Sequence, residues 1–520
     1  MRIALAACVG VLVLAWAGAA AAGPNIGFAD DATKYADDGG NRLFTEMNKL
    51  GTTTNRVAVF WDSGAPTTIQ DQAFLDRMIP VAKRHNIQIV FAIYPEKASM
   101  SPVTADAVQQ FCSYAVTVMK RYPYVRKVII GNEPNQPRFW SPIWNADGSP
   151  ASPAAMEAVL ANCYDQIKGY DASIDVIGVG LSPRGNDDPN ASSNASISPV
   201  RWIAALGKAY RLSGRTAPLF DELSWHCYPN VNTDEVETGY AWPNTGCVNA
   251  ARIKLALWDA FNGTAQPMLA GYPVSTTGST LFGNVSKMLI DETGWQVDTT
   301  NEAGYTNAEN VPTISEAKQA QDYEKLVHLA NCEPTLTDFH IFPLIDEADR
   351  STLLQSGVLR VDFSERPSAT DPTNSVQHAI AADGGSCSGG VWQTLGSFLY
   401  ADNAVVPVYS TFPYQNPQPF ATKIVQGGGI YVGLKAGEGF TYNVKFTAGT
   451  KTSEVKGKAP KTTATVKAPT GFGAGAATIV LAAETNPART STVTLALGSG
   501  TSSTGTGKPH KPKKHKKGKH

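Results

Sequence analysis

The sequence lacks an excess of charge of either sign. Its 44 Lys and Arg nearly balance its 45 Asp and Glu, the formal net charge is −1, and charged residues make up only 17% of the chain. Proteins that bind nucleic acid carry a basic surface that neutralises phosphates, so this balance argues against nucleic acid as a partner. The exception is the Lys- and His-rich stretch 499–520, which we expect to be disordered. Its charge suits an anionic cell-wall surface, and a solvated tail without a partner explains it equally well.

Long apolar runs are missing beyond the first residues. Residues 1–23 begin with Met1-Arg2, continue as an apolar stretch and end in a run of small residues, which is typical of a secretory signal peptide. The stretch is short and Ala-rich for a stable membrane span, with an uncleaved anchor as the alternative. We therefore expect a soluble, secreted, extracellular protein, and we expect it to be a monomer.

Cysteine is scarce, and no two cysteines have the CxxC spacing of a metal site. We therefore expect no metal, and nothing in the sequence calls for an organic cofactor. Outside the signal segment six cysteines remain, an even number that predicts disulfides in an oxidising compartment. Of the pairings that six cysteines allow, we favour the sequential one, because it joins neighbouring elements: Cys112–Cys163, Cys227–Cys247 and Cys332–Cys387.

Residues 24–390 alternate strand-like and helix-like runs. The continuous apolar run 87–94 is typical of a parallel strand buried on both faces. Eight β/α units predict an α/β fold, a (β/α)8 TIM barrel. An open doubly wound sheet is the alternative, but no Gly-rich phosphate-binding motif follows the first strand. The predicted strands are 25–29, 54–61, 87–94, 125–132, 174–180, 219–226, 288–292 and 337–344.

Residues 400–498 differ in composition from the barrel region. They are rich in Thr, Val, Gly and Ala, with short alternating segments such as 430–434 and 440–444. Strands at this spacing, separated by turn residues, predict a small all-β, sandwich-like accessory domain.

Two glutamates lie where predicted strands end. Asn132 and Glu133 follow the β-branched run 128–130, and Pro134 stops the strand. Glu292 ends the seventh strand, which faces the fourth across the mouth of a barrel. Two opposed carboxylates suit glycosidic bond cleavage, one donating a proton to the leaving oxygen and the other acting on the anomeric carbon.

Further polar and aromatic residues lie near the same strand ends. Arg56 interrupts an apolar strand and needs a carboxylate partner, because an unpaired buried guanidinium is costly. His226 and Tyr228 end the sixth strand. Several tryptophans in loops after strands are candidates for stacking on sugar rings, with core packing as the alternative: Trp61 and Trp295 above all, and Trp140, Trp144 and Trp242.

These motifs resemble those of clan-A retaining glycoside hydrolases, of the cellulase-like family-five or the family-thirty-nine type. Gly131-Asn132-Glu133-Pro134 is similar to their Asn-Glu-Pro motif after strand four, and Asp291-Glu292-Thr293-Gly294-Trp295 to their strand-seven nucleophile motif. Thr54 to Trp61 resembles the second-strand Arg motif of family five, and His226-Cys227-Tyr228 the strand-six His-x-Tyr of the clan. The resemblance covers residues 24 to 385.

The resemblance implies a role for each residue. Glu133 would be the acid/base and Glu292 the nucleophile. Asn132 would bind the sugar 2-hydroxyl, Arg56 and Tyr228 would keep Glu292 ionised, and His226 would support the site. These four residues, together with Trp61 and Trp295, are the predicted substrate-binding residues.

The resemblance does not identify the sugar, because this chain departs from the family-five pattern at two positions. It has Tyr94-Pro95 where many family-five enzymes place a His, and no Trp ends its eighth strand. A non-catalytic glycan-binding or wall-associated barrel is the competing hypothesis. It does not require both glutamates.

Overall fold

The computed structural model describes residues 23–261, 264–266, 287–331, 333, 335–351, 354–383, 420–426, 429–435, 439–459, 463–472, 474–484 and 490–498. The chain divides into two compact units, Met1–Pro413 and Tyr414–His520. The predicted signal segment, the basic tail and the proposed Cys332–Cys387 pair lie outside the described residues.

The first unit is a closed barrel of eight strands, each parallel to its neighbours. Strand β1 also pairs with β8, from Asn25 opposite Asp338 to Phe28 opposite Ile341, which closes the sheet and rules out the open doubly wound alternative. The predicted (β/α)8 barrel is therefore confirmed. Its strands are β1 Asn25–Ala29, β2 Thr54–Trp61, β3 Gln88–Pro95, β4 Lys127–Ile130, β5 Asp175–Leu181, β6 Glu222–His226, β7 Lys287–Glu292 and β8 Leu336–Ile341.

Helices follow the strands and pack outside the barrel. Local sequence marks their ends: the Thr104 hydroxyl accepts the Ala107 N–H at the start of α4, and Gly51 ends α2 in the left-handed conformation. The helices are α1 Ala32–Tyr35, α2 Asn41–Leu50, α3 Gln72–Arg84, α4 Ala105–Arg121, α5 Ser152–Tyr170, α6 Pro199–Ser213, α7 Ala250–Phe261, α8 Glu316–Asn331, α9 Pro367–Thr370 and α10 Val376–Asp383. Short 3-10 helices cover Ala98–Met100, Val236–Thr238 and Cys247–Asn249.

The inside of the barrel alternates apolar and polar layers. A buried apolar layer is formed by Val90, Ala92, Ile129, Ile177 and Leu289. At the amino-terminal ends of the strands Lys127 forms an ion pair with the buried carboxylate of Asp338 and lies 3.5 Å from that of Glu222. One ammonium thus lies beside two buried carboxyl groups, and burial raises the pKa of Glu222 to about 7.

His340 lies on β8 inside the barrel, fully buried. Its Nε2 is 3.2 Å from the hydroxyl of Thr54. Burial outweighs the nearby carboxylates of Asp338 and Asp291 and lowers the pKa of His340 to about 4. The folded protein therefore holds this imidazole neutral at pH values where the unfolded chain would protonate it.

Two of the three predicted disulfides are present. Cys112–Cys163 joins α4 to α5, and Cys227–Cys247 joins the end of β6 to the 3-10 helix before α7. Both link neighbouring elements, as the sequential pairing required.

The second unit contains two antiparallel sheets, in the strand orders β13-β10-β9 and β12-β11-β14-β15. The predicted small all-β domain is confirmed, and two strands were missed. One of them, β12, alternates exposed charges with half-buried residues, so it lacks the apolar pattern from which strands are predicted. Its strands are β9 Phe420–Gln426, β10 Gly429–Lys435, β11 Phe440–Ala448, β12 Lys451–Ala459, β13 Thr463–Lys467, β14 Ala476–Ala483 and β15 Thr490–Ala496.

Among the described residues, no helix combines the length and apolarity needed to cross a bilayer.

The two disulfides should differ in their contribution to stability. Cys112–Cys163 closes a loop of 51 residues and Cys227–Cys247 one of 20. Loop-closure entropy gives about 4 and about 3 kcal/mol respectively. Replacing both cysteines of a pair by Ala should lower the free energy of unfolding of the barrel by about these amounts, measured by calorimetry. Unchanged unfolding in either double variant would contradict the prediction.

His340 should make the barrel less stable in acid. The unfolded chain protonates this side chain below its ordinary pKa of 6.5, the folded protein only near 4. Stability from the neutral ring is thus fully present above pH 6.5 and is lost as the pH falls, by up to ~3 kcal/mol. In His340→Gln, which never titrates, denaturant unfolding at pH 7 and pH 4.5 should differ less than in the wild type. Parallel pH curves would refute this role.

Candidate active site

A cleft of about 1110 Å³ opens at the carboxyl-terminal ends of the barrel strands. This is the end at which barrels of this kind place their chemistry, because eight strand ends converge there. Every strand contributes a residue at or near its end, namely Asp30, Phe60, Tyr94, Asn132 and Glu133, Ser182, Tyr228, Glu292 and Phe342, and Arg56 reaches the cleft from farther back in β2.

The backbone after β4 takes an unusual path that presents Glu133. Gly131 has φ 113°, which suits glycine, and Glu133 itself has φ 40°, in the left-handed region that side chains rarely adopt. The Gly131 N–H donates to the carbonyl of Ile93 at 2.9 Å, and the Glu133 N–H to that of Gly180 at 2.8 Å. Hydrogen bonds to β3 and β5 therefore hold the turn in which Glu133 enters the cleft.

The carboxylates of Glu133 and Glu292 meet at one imidazole nitrogen. His226 Nδ1 lies 2.9 Å from Glu133 Oε1 and 3.4 Å from Glu292 Oε2. Each glutamate thus places one oxygen against the same nitrogen, and the two carboxylates lie close together. A short separation is typical of retaining pairs, at roughly 5–5.5 Å between carboxyl groups, against roughly 6.5–9.5 Å in inverting pairs.

Glu292 has two further polar neighbours. The Tyr228 hydroxyl donates to Glu292 Oε2 at 2.9 Å, and Arg56 Nη1 is 3.2 Å from Glu292 Oε1. Burial raises the pKa of Glu292, and the positive charges of His226 and Arg56 counteract part of that shift. Burial and the adjacent Glu292 carboxylate raise the pKa of Tyr228 well above its ordinary value, so its hydroxyl remains a donor.

Arg56 lies beside carboxylates, as expected for a charged residue within an apolar strand. Besides Glu292, it donates from Nη2 to Asn132 Oδ1 at 2.6 Å, and its Nε is 3.9 Å from Asp291 Oδ2. Burial alone would lower the pKa of Arg56, but Glu292 and other nearby acids raise it. Arg56 is thus a permanent cation that links the residues after β2, β4 and β7.

The structure places His226 below the cleft, not in its lining. Its ring is fully buried, and it contacts the acids instead of the space that a ligand would occupy. We predicted His226 as substrate-binding, and burial contradicts that assignment, whereas Asn132, Arg56 and Tyr228 do line the cleft.

Trp61 and Trp295 are core residues. Trp61 is fully buried and packs edge-on against Phe111, with ring centroids 5.4 Å apart. Trp295 is 1% exposed and donates from Nε1 to the carbonyl of Asp234 at 3.0 Å. Neither lines the cleft, where the candidates for stacking on a sugar would have to lie, and Trp140, Trp144 and Trp242 are absent from its lining as well.

Tyrosines and phenylalanines supply the aromatic surface instead. Tyr94 packs edge-on against Phe60 at 5.2 Å and against Phe139 at 6.5 Å, which makes a continuous wall along the β2 to β4 side. The aromatic residues that line the cleft are Tyr35, Phe60, Tyr94, Phe139, Tyr228, Tyr240 and Phe342.

Asp291 is a site residue that the sequence analysis passed over. It is fully buried, with Oδ2 3.4 Å from His226 Nε2. The alternation of β7 contains the missed signal: Leu289 faces the barrel interior, so the residue two positions later faces it too.

No group of three or more His, Cys, Asp or Glu side chains in the part of the chain that the structure describes is arranged to hold a metal ion. The cleft brings together the carboxylates of Glu133 and Glu292, with Arg56 and Tyr228 beside them and His226 beneath.

No protein-family model and no curated protein matches the chain. Several solved structures are similar to it. One is a family 39 glycoside hydrolase from the gut symbiont Bacteroides cellulosilyticus, with 13% identity, 86% of this chain and 81% of that chain covered, and a TM-score of 0.42. The others include a glucosidase from Croceicoccus marinus (10%, 85% and 81%, 0.44) and a monomeric β-xylosidase from Caulobacter crescentus (12%, 86% and 95%, 0.40). These identities and TM-scores are low, so the chemistry of this chain has to follow from its own residues.

Proposed function

We propose that this protein is a secreted glycoside hydrolase that cleaves β-glycosidic bonds in an oligo- or polysaccharide with retention of anomeric configuration. The observation that carries the proposal is the contact of Glu133 and Glu292 with the same nitrogen of His226. A short separation of the two carboxylates favours direct attack of one of them on the sugar over a water held between them.

Glu292 is the nucleophile in this proposal. The Tyr228 hydroxyl donates to its carboxylate, Arg56 Nη1 lies 3.2 Å away and His226 Nδ1 lies 3.4 Å away. These groups stabilise the ionised form against the cost of burial, and a buried anion beside the anomeric carbon is what the attack needs. Of these three groups Glu133 contacts only His226, so Glu133 is assigned as the acid/base.

The reaction proceeds in two steps. First, Glu133 donates its proton to the leaving oxygen as the glycosidic C–O bond breaks and a Glu292 oxygen bonds to the anomeric carbon. Then Glu133 accepts a proton from water, the water oxygen bonds to the anomeric carbon, and Glu292 leaves as a carboxylate. Two displacements at one carbon return the original configuration.

Asn132 and the aromatic wall supply recognition of the sugar. Arg56 occupies the Asn132 carbonyl oxygen, so the amide nitrogen is the donor that Asn132 can offer to a sugar hydroxyl. Phe60, Tyr94 and Phe139 present ring surface beside it, which suits the apolar faces of pyranose rings.

Single substitutions test the assignment of the two glutamates. In Glu133→Gln, kcat/KM on an unactivated glycoside should fall at least about a thousandfold, because the proton donor is lost. With substrates whose leaving group is an acidic phenol, the rate of the first step should fall less, because such a group leaves without being protonated. In Glu292→Gln, turnover should fall to the detection limit, since no glycosyl–enzyme can form. Glu46→Gln, on the outer helix α2, is the matched control and should behave as wild type.

The measurement is a screen of aryl β-glycosides and polysaccharides, followed by NMR of the first-formed anomer. A β product supports retention, and an α product from a β substrate would disprove it. If both glutamine variants kept wild-type turnover, the glycosidase assignment would fail. Absence of turnover on every substrate together with glycan binding would favour the non-catalytic alternative.

A further inference from the structure

Asp291 is a buried acid for which the mechanism above has no use. It is fully buried, precedes Glu292 in the chain, and does not line the cleft. Its Oδ2 lies 3.4 Å from His226 Nε2 and 3.9 Å from Arg56 Nε. Neither of its oxygens has a hydrogen bond within normal limits among the described residues. Its nearest contacts are therefore these two basic groups.

The ring of His226 lies between carboxylates on both sides. Nδ1 faces Glu133 and Glu292, and Nε2 faces Asp291. A neutral imidazole has one N–H, so one of its nitrogens would turn a lone pair towards an anion. An imidazolium donates from both nitrogens. Only the charged ring satisfies the two sides when Asp291 is ionised.

We propose that Asp291 is a positioning residue that fixes His226 as a doubly protonated imidazolium between the two catalytic glutamates. The inference rests on the proposed glycosidase function for its kinetic consequence, but the state of His226 can be measured independently of turnover.

The backbone at Gly180 leaves no room for a side chain beside the contact between Asp291 and His226. Gly180, with φ 62°, lies against both side chains, and a Cβ there would come within 3.1 Å of Asp291 Oδ2 and 3.2 Å of His226 Nε2. A side chain at this position would push the acid and the imidazole apart. The glycine that lets β5 bend at the site thus also leaves space for the pair.

The surrounding charges agree with an ionised Asp291 and a charged His226. Burial would raise the pKa of Asp291, but His226 and Arg56 lower it below the ordinary value. Burial would lower the pKa of His226, but Glu292 and Asp291 raise it well above 6.5. The other titratable groups facing the pair are Glu133 from β4, Tyr228 after β6 and the neutral His340 of β8.

The imidazolium puts a positive charge beside Glu292, and beside Glu133 once Glu133 has given up its proton. Without the carboxylate of Asp291 the second N–H of the ring has no anion beside it, and the ring should lose that proton within the working pH range. The N–H at Nδ1 would stay, but Glu292 would lose the positive charge beside it, and the acidic limb of the kcat/KM profile, which reports ionisation of Glu292, should move to higher pH.

The direct test is NMR titration of protein labelled with 13C at histidine Cε1, with the His226 signal assigned by its loss in His226→Gln. In the wild type this signal should be that of an imidazolium up to at least pH 7. In Asp291→Asn and in Asp291→Ser its midpoint should fall by about one pH unit or more. Asp338→Asn, which removes a buried barrel carboxylate paired with Lys127, is the matched control and should leave the His226 signal unchanged.

Kinetics give the second readout if turnover is found. Asp291→Asn should lower kcat about tenfold with KM changed less than about threefold, and should shift the acidic limb upward. A neutral His226 in the wild type at pH 7, or an unshifted midpoint in a folded Asp291 variant, overturns the proposal. Either result leaves the glycosidase assignment intact, because that depends on Glu133 and Glu292.

Discussion

The site depends on one constraint: the buried acids at the mouth of the barrel need positive charges beside them. Three carboxylates, on Glu133, Asp291 and Glu292, lie around Arg56 and His226 with little access to water. A buried charge without a partner costs several kcal/mol, so each of these charges depends on the opposite charges beside it. The five side chains therefore form one connected ion cluster.

The barrel brings these five residues together from four strands. A shift in register between β6 and β7 pairs Trp225 with Ile290 but His226 with Glu292. Because of that shift, the consecutive side chains of Asp291 and Glu292, which would point to opposite faces of a regular strand, both reach the same histidine. A single irregularity in the sheet thus gives His226 a carboxylate at each nitrogen.

Much of this architecture was predictable from the sequence, for identifiable reasons. Apolar runs gave the eight strands, and polar residues directly after such runs pointed to Asn132, Glu133 and Glu292. The environment of each aromatic side chain was not predictable. Trp61 belongs to a strand and Trp295 to a loop, and tertiary packing against helix and loop decides that both are buried. Asp291 was missed because the neighbouring Glu292 was taken as the polar residue at the end of the strand, although the alternation of β7 turns Asp291 towards the barrel interior. Strand β12 was missed because it is an edge strand in which Lys and Glu residues alternate with uncharged ones.

The disulfide between Cys227 and Cys247 makes the geometry of the site depend on the compartment in which the protein resides. Cys227 stands between His226, which ends β6, and Tyr228, and these two residues contact the carboxylates of Glu133 and Glu292. In a reducing compartment this segment would be held by non-covalent contacts alone. Oxidation adds the covalent link. The segment that carries His226 and Tyr228 is therefore tied down covalently only in a compartment where thiols can form disulfides. The arrangement ties the maturation of the site to the redox state of its surroundings.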